Sequence, residues 1–268
     1  MSMFDPYNRL IRYLRISVTD RCNLRCLYCM PEEGVELKKH SDILTFEEIE
    51  EFARVAVSMG IDKVRITGGE PLVRKGVTSL VARLSRIEGI RDLTMTSNGV
   101  LLAQYARELK EAGLNRINVS LDTVDPQRFR EITRVGDLAQ VMRGIDAALV
   151  ADLRPVKINC VITKSAQEPH ALAVADYARE RGLEIRYIRQ MDLCSGSFWV
   201  VQGGDGGNCT ICNKLRLTST GGLRPCLFSD IEYDIRKMGY SQAIRAAVAG
   251  KPERGTINTS GSFNNIGG

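Results

Sequence analysis

Tyr13-Leu14-Arg15-Ile16-Ser17-Val18-Thr19-Asp20-Arg21-Cys22-Asn23-Leu24-Arg25-Cys26-Leu27-Tyr28-Cys29-Met30-Pro31 is the stretch on which the fold turns. Its first part, Tyr13–Thr19, is mostly branched or apolar and ends at Asp20, so it reads as a buried strand. Three cysteines follow at once, in the spacing C-x3-C-x2-C. Five later runs carry the same strand signature: Lys63–Thr67, Asp92–Thr96, Arg116–Leu121, Val156–Ile162 and Glu184–Gln190.

Helical patterns lie between these runs. The first begins at Thr45, with Glu48 completing a capping box, and runs to Met59, where Gly60 ends it. Others cover Gly76–Ile87, Leu101–Ala112, Asp137–Ala151 and Ala171–Arg181. Parallel strands need crossovers, which helices supply, so the alternation predicts an α/β fold with a parallel sheet. Six units fall short of an eight-fold closed barrel. The expected architecture is therefore an open, partial (βα)6 barrel of the TIM type, with reactive residues at the C-terminal strand ends. Asp20 and Cys22, Gly68-Gly69-Glu70 and Ser97-Asn98-Gly99 each follow a strand, in agreement.

After Met191 the pattern changes, which divides the chain into a barrel over 1–191 and an extension over 192–268. Gln202–Asn208 is too glycine-rich for a helix. Lys214–Cys226 reads as a hairpin turning at Gly221-Gly222, and a helix follows over Ser241–Ala249. The tail, Gly255–Gly268, has the composition of a disordered end.

The chain has 268 residues, 44% of them hydrophobic, and a net charge of +5 spread along its length. A basic excess of this kind serves solubility or an anionic substrate such as a nucleotide. No nucleic-acid-binding motif stands out. No apolar run reaches the roughly 18 residues of a membrane span. The N-terminus lacks a secretory apolar run, so a cytoplasmic protein is expected. Eight cysteines are then many, and six fall into two sets, Cys22/Cys26/Cys29 and Cys209/Cys212/Cys226, leaving Cys160 and Cys194 alone. Clustered cysteines in a reducing compartment point to metal or catalysis.

A tetrahedral zinc site or an ordinary iron–sulfur cluster takes four protein ligands. Three cysteines leave one iron open, or else a zinc ligand lies elsewhere in the chain. The first set resembles the motif of the radical S-adenosylmethionine (SAM) superfamily. That resemblance implies a [4Fe–4S] cluster on Cys22, Cys26 and Cys29. It also implies a SAM that chelates the open iron and is cleaved by one electron to a 5′-deoxyadenosyl radical. Arg65-Ile66-Thr67-Gly68-Gly69-Glu70-Pro71 fits the same superfamily. Gly68 and Gly69 are expected to let backbone approach the ligand, and Glu70 to accept from the SAM amino group. Tyr28, Thr96, Asn98 and Ser120 are further expected cofactor contacts, and Arg186 is expected to meet the SAM carboxylate. Small polar residues at strand ends are also common without any such role.

The second set lies in Cys209-Thr-Ile-Cys212-Asn-Lys214-Leu-Arg216-Leu-Thr, which continues to Leu223-Arg-Pro-Cys226-Leu-Phe228. A zinc knuckle completed by Cys194 is one reading, and a second open-iron cluster that binds substrate is the other. The segment resembles the second-cluster motif of the MoaA family, the GTP 3′,8-cyclases of molybdenum-cofactor synthesis. Leu14–Asn23 and Arg116–Asp122 resemble that family too. The resemblance implies two [4Fe–4S] clusters, SAM, GTP as substrate, and an electron donor such as flavodoxin or ferredoxin. A homodimer is compatible with it. Arg15, Lys63, Arg65, Lys157, Lys214 and Arg216 are the implied substrate-binding residues. Among them Arg15 and Arg216 are catalytic, together with a Gly267-Gly268 tail that enters the active site. Lys and Arg at such places are otherwise ordinary solvated charge. Lys214 stands where the family has Arg, and only Asp192–Asn208 fills the place of a longer family segment. A MoaA-like enzyme with another substrate, such as a peptide maturase, and a non-catalytic metal-binding module are the alternatives.

Overall fold

The computed structural model describes residues 3–36, 38–259 and 263–266. A short antiparallel pair, β1 (Met3–Phe4) and β2 (Leu10–Ile11), opens the chain. It leads into β3 (Tyr13–Ser17), α1 (Phe46–Ser58), β4 (Lys63–Thr67), α2 (Val77–Ser85), β5 (Asp92–Ser97) and α3 (Leu102–Glu111). Then come β6 (Arg116–Ser120), α4 (Pro126–Thr133), α5 (Leu138–Val150), β7 (Lys157–Ile162), α6 (Pro169–Glu180) and β8 (Glu184–Arg189). The remainder supplies β9 (Lys214–Leu217), β10 (Gly222–Arg224), β11 (Tyr233–Asp234), α7 (Ile235–Met238), α8 (Tyr240–Ala249) and α9 (Phe263–Ile266). The six expected strands fall on β3–β8, and the six expected helices on α1, α2, α3, α5, α6 and α8.

Local chemistry explains the element ends. The Thr45 hydroxyl accepts from Glu48 N at 3.1 Å while the Glu48 carboxylate accepts from Thr45 N at 2.7 Å, the reciprocal box that starts α1. Helix α4 was not expected, although Asp125-Pro126 carries its signal. The Asp125 carboxylate accepts from Arg128 N at 2.7 Å, and proline suits the first helical position.

One sheet of nine strands runs in the order β11-β10-β9-β3-β4-β5-β6-β7-β8. Strands β9 and β3 to β8 are parallel, and β10 and β11 turn antiparallel at one edge. The segment after Met191 thus joins the sheet through β9, in register with β3 from Tyr13↔Lys214 to Ile16↔Leu217.

Alternation along each strand sorts the two faces. Leu14, Ile16, Val64, Ile66, Leu93, Met95, Ile117 and Val119 are buried in one core with helix residues such as Phe52, Leu80 and Ile145. Burying a side chain the size of Phe52 contributes roughly 2–3 kcal/mol. The intervening residues line a cavity: Tyr13 and Arg15, Lys63 and Arg65, Arg116 and Asn118, Lys214 and Arg216. Among the described residues no helix is long and apolar enough to cross a membrane.

Candidate active site

All six clustered cysteines line that single cavity of about 550 Å³. Cys22, Cys26 and Cys29 follow β3 at its C-terminal end. Cys209 and Cys212 precede the parallel strand β9, and Cys226 follows the antiparallel β10. The second set therefore sits at the opposite end of the strands. Not every reactive candidate gathers at the C-terminal ends: Cys209 and Cys212 lie before the start of β9, and antiparallel β10 returns Cys226 to that same end.

The first loop is tightly organised. Cys29 N and Met30 N both donate to Cys26 O at 3.0 Å, and Arg134 donates to the carbonyls of Arg25 and Met30. Asn98 Nδ2 lies 3.8 Å from Cys22 Sγ and donates to Asn23 Oδ1 at 2.7 Å. Burial pushes the Cys26 and Cys29 thiols up to about 12, and neighbouring negative groups add to it: Asp122 and the other two cysteines for Cys26, and Cys22 for Cys29. Burial and neighbouring thiols thus disfavour ionisation at Cys26 and Cys29, a cost that a cation bound at the loop would offset.

Gly68 and Gly69 line the cavity and also pack closely on the cysteine loop. A Cβ on Gly69 would lie 2.3 Å from Arg21 O, and one on Gly68 would lie 2.8 Å from Thr19 O. The backbone that approaches these glycines most closely is that of the cysteine loop itself. Gly69 N donates to Thr19 O and Glu70 N to Arg21 O, both at 2.8 Å. Glu70 is fully buried and accepts from Leu72 N, Ser97 Oγ and Asn98 N, at 3.1, 2.9 and 2.6 Å. Burial nevertheless lifts its carboxyl to about 7. Tyr28 donates to the Asp122 carboxylate at 2.7 Å. Thr96 accepts from Arg65 at 3.1 Å, and Ser120 lines the cavity.

At the second set, Cys212 N donates to Cys209 O at 3.2 Å. Burial alone would raise the Cys212 thiol, but Lys251, Lys214 and Arg216 outweigh it and hold the thiol below its usual value. Burial pushes Cys226 up. Cys194 is exposed. Among the described residues no three His, Cys, Asp or Glu side chains converge on one metal ion.

Between the two sets the strand register builds a basic wall. Arg216, Arg15 and Arg65 are direct neighbours across β9, β3 and β4, and Arg116 pairs with Thr94 on the same rung. Lys214, Tyr13 and Lys63 form the adjacent rung. Burial and then Arg216 lower the Arg15 guanidinium to about 9. Burial would raise the Tyr13 phenol, but Arg65, Arg15 and Lys214 together bring it below its usual range. The buried Arg65 Nε and Asn118 Nδ2 have no hydrogen-bond partner. Concentrated positive charge and orphaned donors fit an anionic, acceptor-rich ligand.

Several expected residues have other occupations. The Lys157 ammonium pairs with Glu184, its register partner on β8, and Lys157 does not line the cavity. Arg186 lines it, with Nε donating to Gly203 O at 3.1 Å. Lys214 meets Asp205 of the glycine run, Nζ–Oδ2 3.4 Å. Gly267 and Gly268 lie outside the described residues. Phe263, just before them, lines the cavity, and Ile266 is buried beside Leu193 and Phe228. Tyr13, Asn118, Arg116 and Asp205 are cavity residues that the sequence reading missed. The polar period of two in Arg116, Asn118 and Ser120 was the available signal.

The sequence profile of the radical SAM superfamily matches residues 16–185, and GTP 3′,8-cyclases are among the chain's curated relatives. The cyclase of Thermodesulfovibrio yellowstonii is 43% identical, over 88% of this chain and 88% of its own. That of Pelotomaculum thermopropionicum is 43% identical, over 94% of each. The chain belongs to the GTP 3′,8-cyclase family of the radical SAM superfamily. Both alignments, 282 and 307 residues, are longer than the 268-residue chain, so each of these family members holds residues that this one lacks. Among solved structures, SuiB of Streptococcus suis bound to S-adenosylmethionine matches with a TM-score of 0.63 at 17% identity, over 93% of this chain and 66% of that one. Methylornithine synthase matches with a TM-score of 0.55 at 15% identity, over 68% and 54%. These two matches concern the fold alone.

Proposed function

We propose that the chain converts GTP to a cyclised pterin precursor. In this reading, Cys22, Cys26 and Cys29 hold one [4Fe–4S] cluster, and Cys209, Cys212 and Cys226 hold a second. The observation that carries the reading is the single cavity with a cysteine set at each end and a basic wall between them. Bound SAM and the first cluster together supply a 5′-deoxyadenosyl radical. The chain's own residues bind and orient. Arg216, Arg15 and Arg65 hold the triphosphate with charge-assisted hydrogen bonds, and Lys63 and Lys214 add charge on the next rung. Tyr28, Glu70, Thr96, Asn98, Ser120 and Arg186 cradle SAM. Inward-facing side chains from the six parallel strands β3 to β8 around one cavity support a partial barrel over 1–191, to which the extension over 192–268 adds β9 as a seventh parallel strand. Leu27 is 59% exposed within the first cysteine loop, which favours access there by a ferredoxin- or flavodoxin-type donor in the cytoplasm.

Anaerobic reduction with SAM and GTP, followed by mass analysis, is expected to give 5′-deoxyadenosine and a cyclised product. Arg216→Ala is expected to weaken GTP binding about 10- to 100-fold in calorimetric titration, since hydrogen bonds to charged groups contribute about 1.5–3 kcal/mol. No GTP binding by the unaltered protein, alongside vigorous SAM cleavage, overturns the GTP assignment and favours a peptide substrate.

Asp205 occupies part of the anion wall. A triphosphate must displace its carboxylate from Lys214. Asp205→Asn is therefore expected to tighten binding of inorganic triphosphate and of GTP, by up to about fivefold, the range of a partly exposed ion pair. Titration of both ligands checks this, and weaker binding in the variant argues that Asp205 itself contacts the ligand.

A further inference from the structure

The second cysteine set is backed by a cation that does not face the cavity. Lys251 follows α8 and is 3% exposed. Its ammonium donates to Lys214 O at 2.8 Å and to Pro225 O at 2.5 Å, and Cys212 and Cys226 are its electrostatic neighbours. Lys214 lies two residues after Cys212, and Pro225 immediately precedes Cys226. Arg9 works from the other side. Held by Asp5 at 2.6 Å, its guanidinium donates to Cys209 O at 2.6 Å and to the carbonyls of Pro252 and Glu253, at 2.7 and 2.9 Å, which directly follow Lys251. Each of the three cysteine segments is thus tied to a buried cation.

Neutral donors satisfy carbonyls equally well, and burying an ammonium is costly without nearby negative charge. Among the described residues Lys251 pairs with no carboxylate, and the ionisable acids beside it are Cys212 and Cys226. Arg216 and Lys214 also neighbour the set, but they line the cavity, where an anionic ligand meets their charge. Lys251 is buried outside that lining, held by the carbonyls of Lys214 and Pro225.

We propose that Lys251 is the resident counter-charge of the second cysteine centre. It offsets thiolate charge and, through the carbonyls of Lys214 and Pro225, fixes Cys212 against Cys226. This rests on the reading that the set holds an iron–sulfur cluster, whose potential follows its local charge and the hydrogen bonds to its sulfurs. A nearby cation favours the reduced, more negative state, so removing it lowers the potential.

The test uses the full-length, anaerobically reconstituted protein. Iron analysis of the unaltered chain comes first: about four irons instead of about eight overturns the second-cluster reading itself. With about eight present, Lys251→Gln keeps an N–H donor for the carbonyls and drops the charge. Its second centre is expected to titrate about 59 mV lower, a tenfold change for a one-electron couple. The measurement is a redox titration followed by electron paramagnetic resonance. The Cys22→Ala/Cys26→Ala/Cys29→Ala chain, run alongside, assigns the signal. An unchanged potential overturns the proposal. Lys251→Met, which loses both charge and donors, is expected to release the second centre's iron to a chelator about tenfold faster, with SAM cleavage at the first centre intact. Iron release at the unaltered rate counts against the proposal. Should Lys251→Met lose SAM cleavage through misfolding, the potential of Lys251→Gln decides alone.

Discussion

Replacing Cys22, Cys26 and Cys29 together by alanine is expected to abolish 5′-deoxyadenosine formation and to leave about half of the reconstituted iron, about four per remaining cubane. The loss is all-or-none because no other side chain stands ready to replace these sulfurs. Asp122, the carboxylate closest in effect to Cys26, is committed to Tyr28 and to Val161 N, the latter at 2.8 Å. Glu70 is committed to three donors. The fold should survive, since none of the three cysteines belongs to the hydrophobic core. Chromatographic detection of 5′-deoxyadenosine after anaerobic reduction, with iron analysis and a thermal melt on the same sample, checks each part. Continued SAM cleavage by the triple variant refutes the assignment of the first set.

What the sequence made legible was local. The Thr45–Glu48 box needs only four consecutive residues, and each of β3 to β8 announces itself by composition and by the turn residues around it. The pairing of β9 with β3 was not legible, because Tyr13 and Lys214 are register partners although about 200 positions apart in the sequence. For the same reason the arginine wall was visible as individual candidates but not as a wall. Arg15, Arg65 and Arg216 become neighbours only through strand register. Arg116 joins the same rung through Thr94, and its guanidinium pairs with the Asp92 carboxylate at 2.7 Å, neither of which the linear sequence displays. Lys157 went the other way. Read as a ligand contact, it has Glu184 in register on the next strand, and a cross-strand ion pair needs no ligand. Lys251 could not be singled out, because nothing in the linear sequence ties it to cysteines some 25 to 40 positions earlier.

Gly69→Ala is expected to cost at least about 100-fold in SAM cleavage, through a residue with no side chain at all. The added Cβ would lie 2.3 Å from Arg21 O, 2.7 Å from Arg21 C and 3.0 Å from Asp20 O. These are backbone atoms, which cannot rotate aside as a flexible side chain does, so the strand-end turn and the cysteine loop must separate. Separation breaks the bonds from Gly69 N to Thr19 O and from Glu70 N to Arg21 O. Arg21 precedes Cys22 directly, so the shift reaches the first sulfur, and Glu70 carries it to Ser97 and Asn98. Overpacking of this kind costs about 1–3 kcal/mol in stability. A misplacement of about 1 Å at a reacting centre costs on the order of 100-fold in rate. The variant should melt at a lower temperature yet still fold, and it should hold the second centre's iron while binding iron poorly at the first. Wild-type SAM cleavage by Gly69→Ala would mean that the loop tolerates this displacement, and that the close packing of Gly69 on Arg21 does not set the position of Cys22.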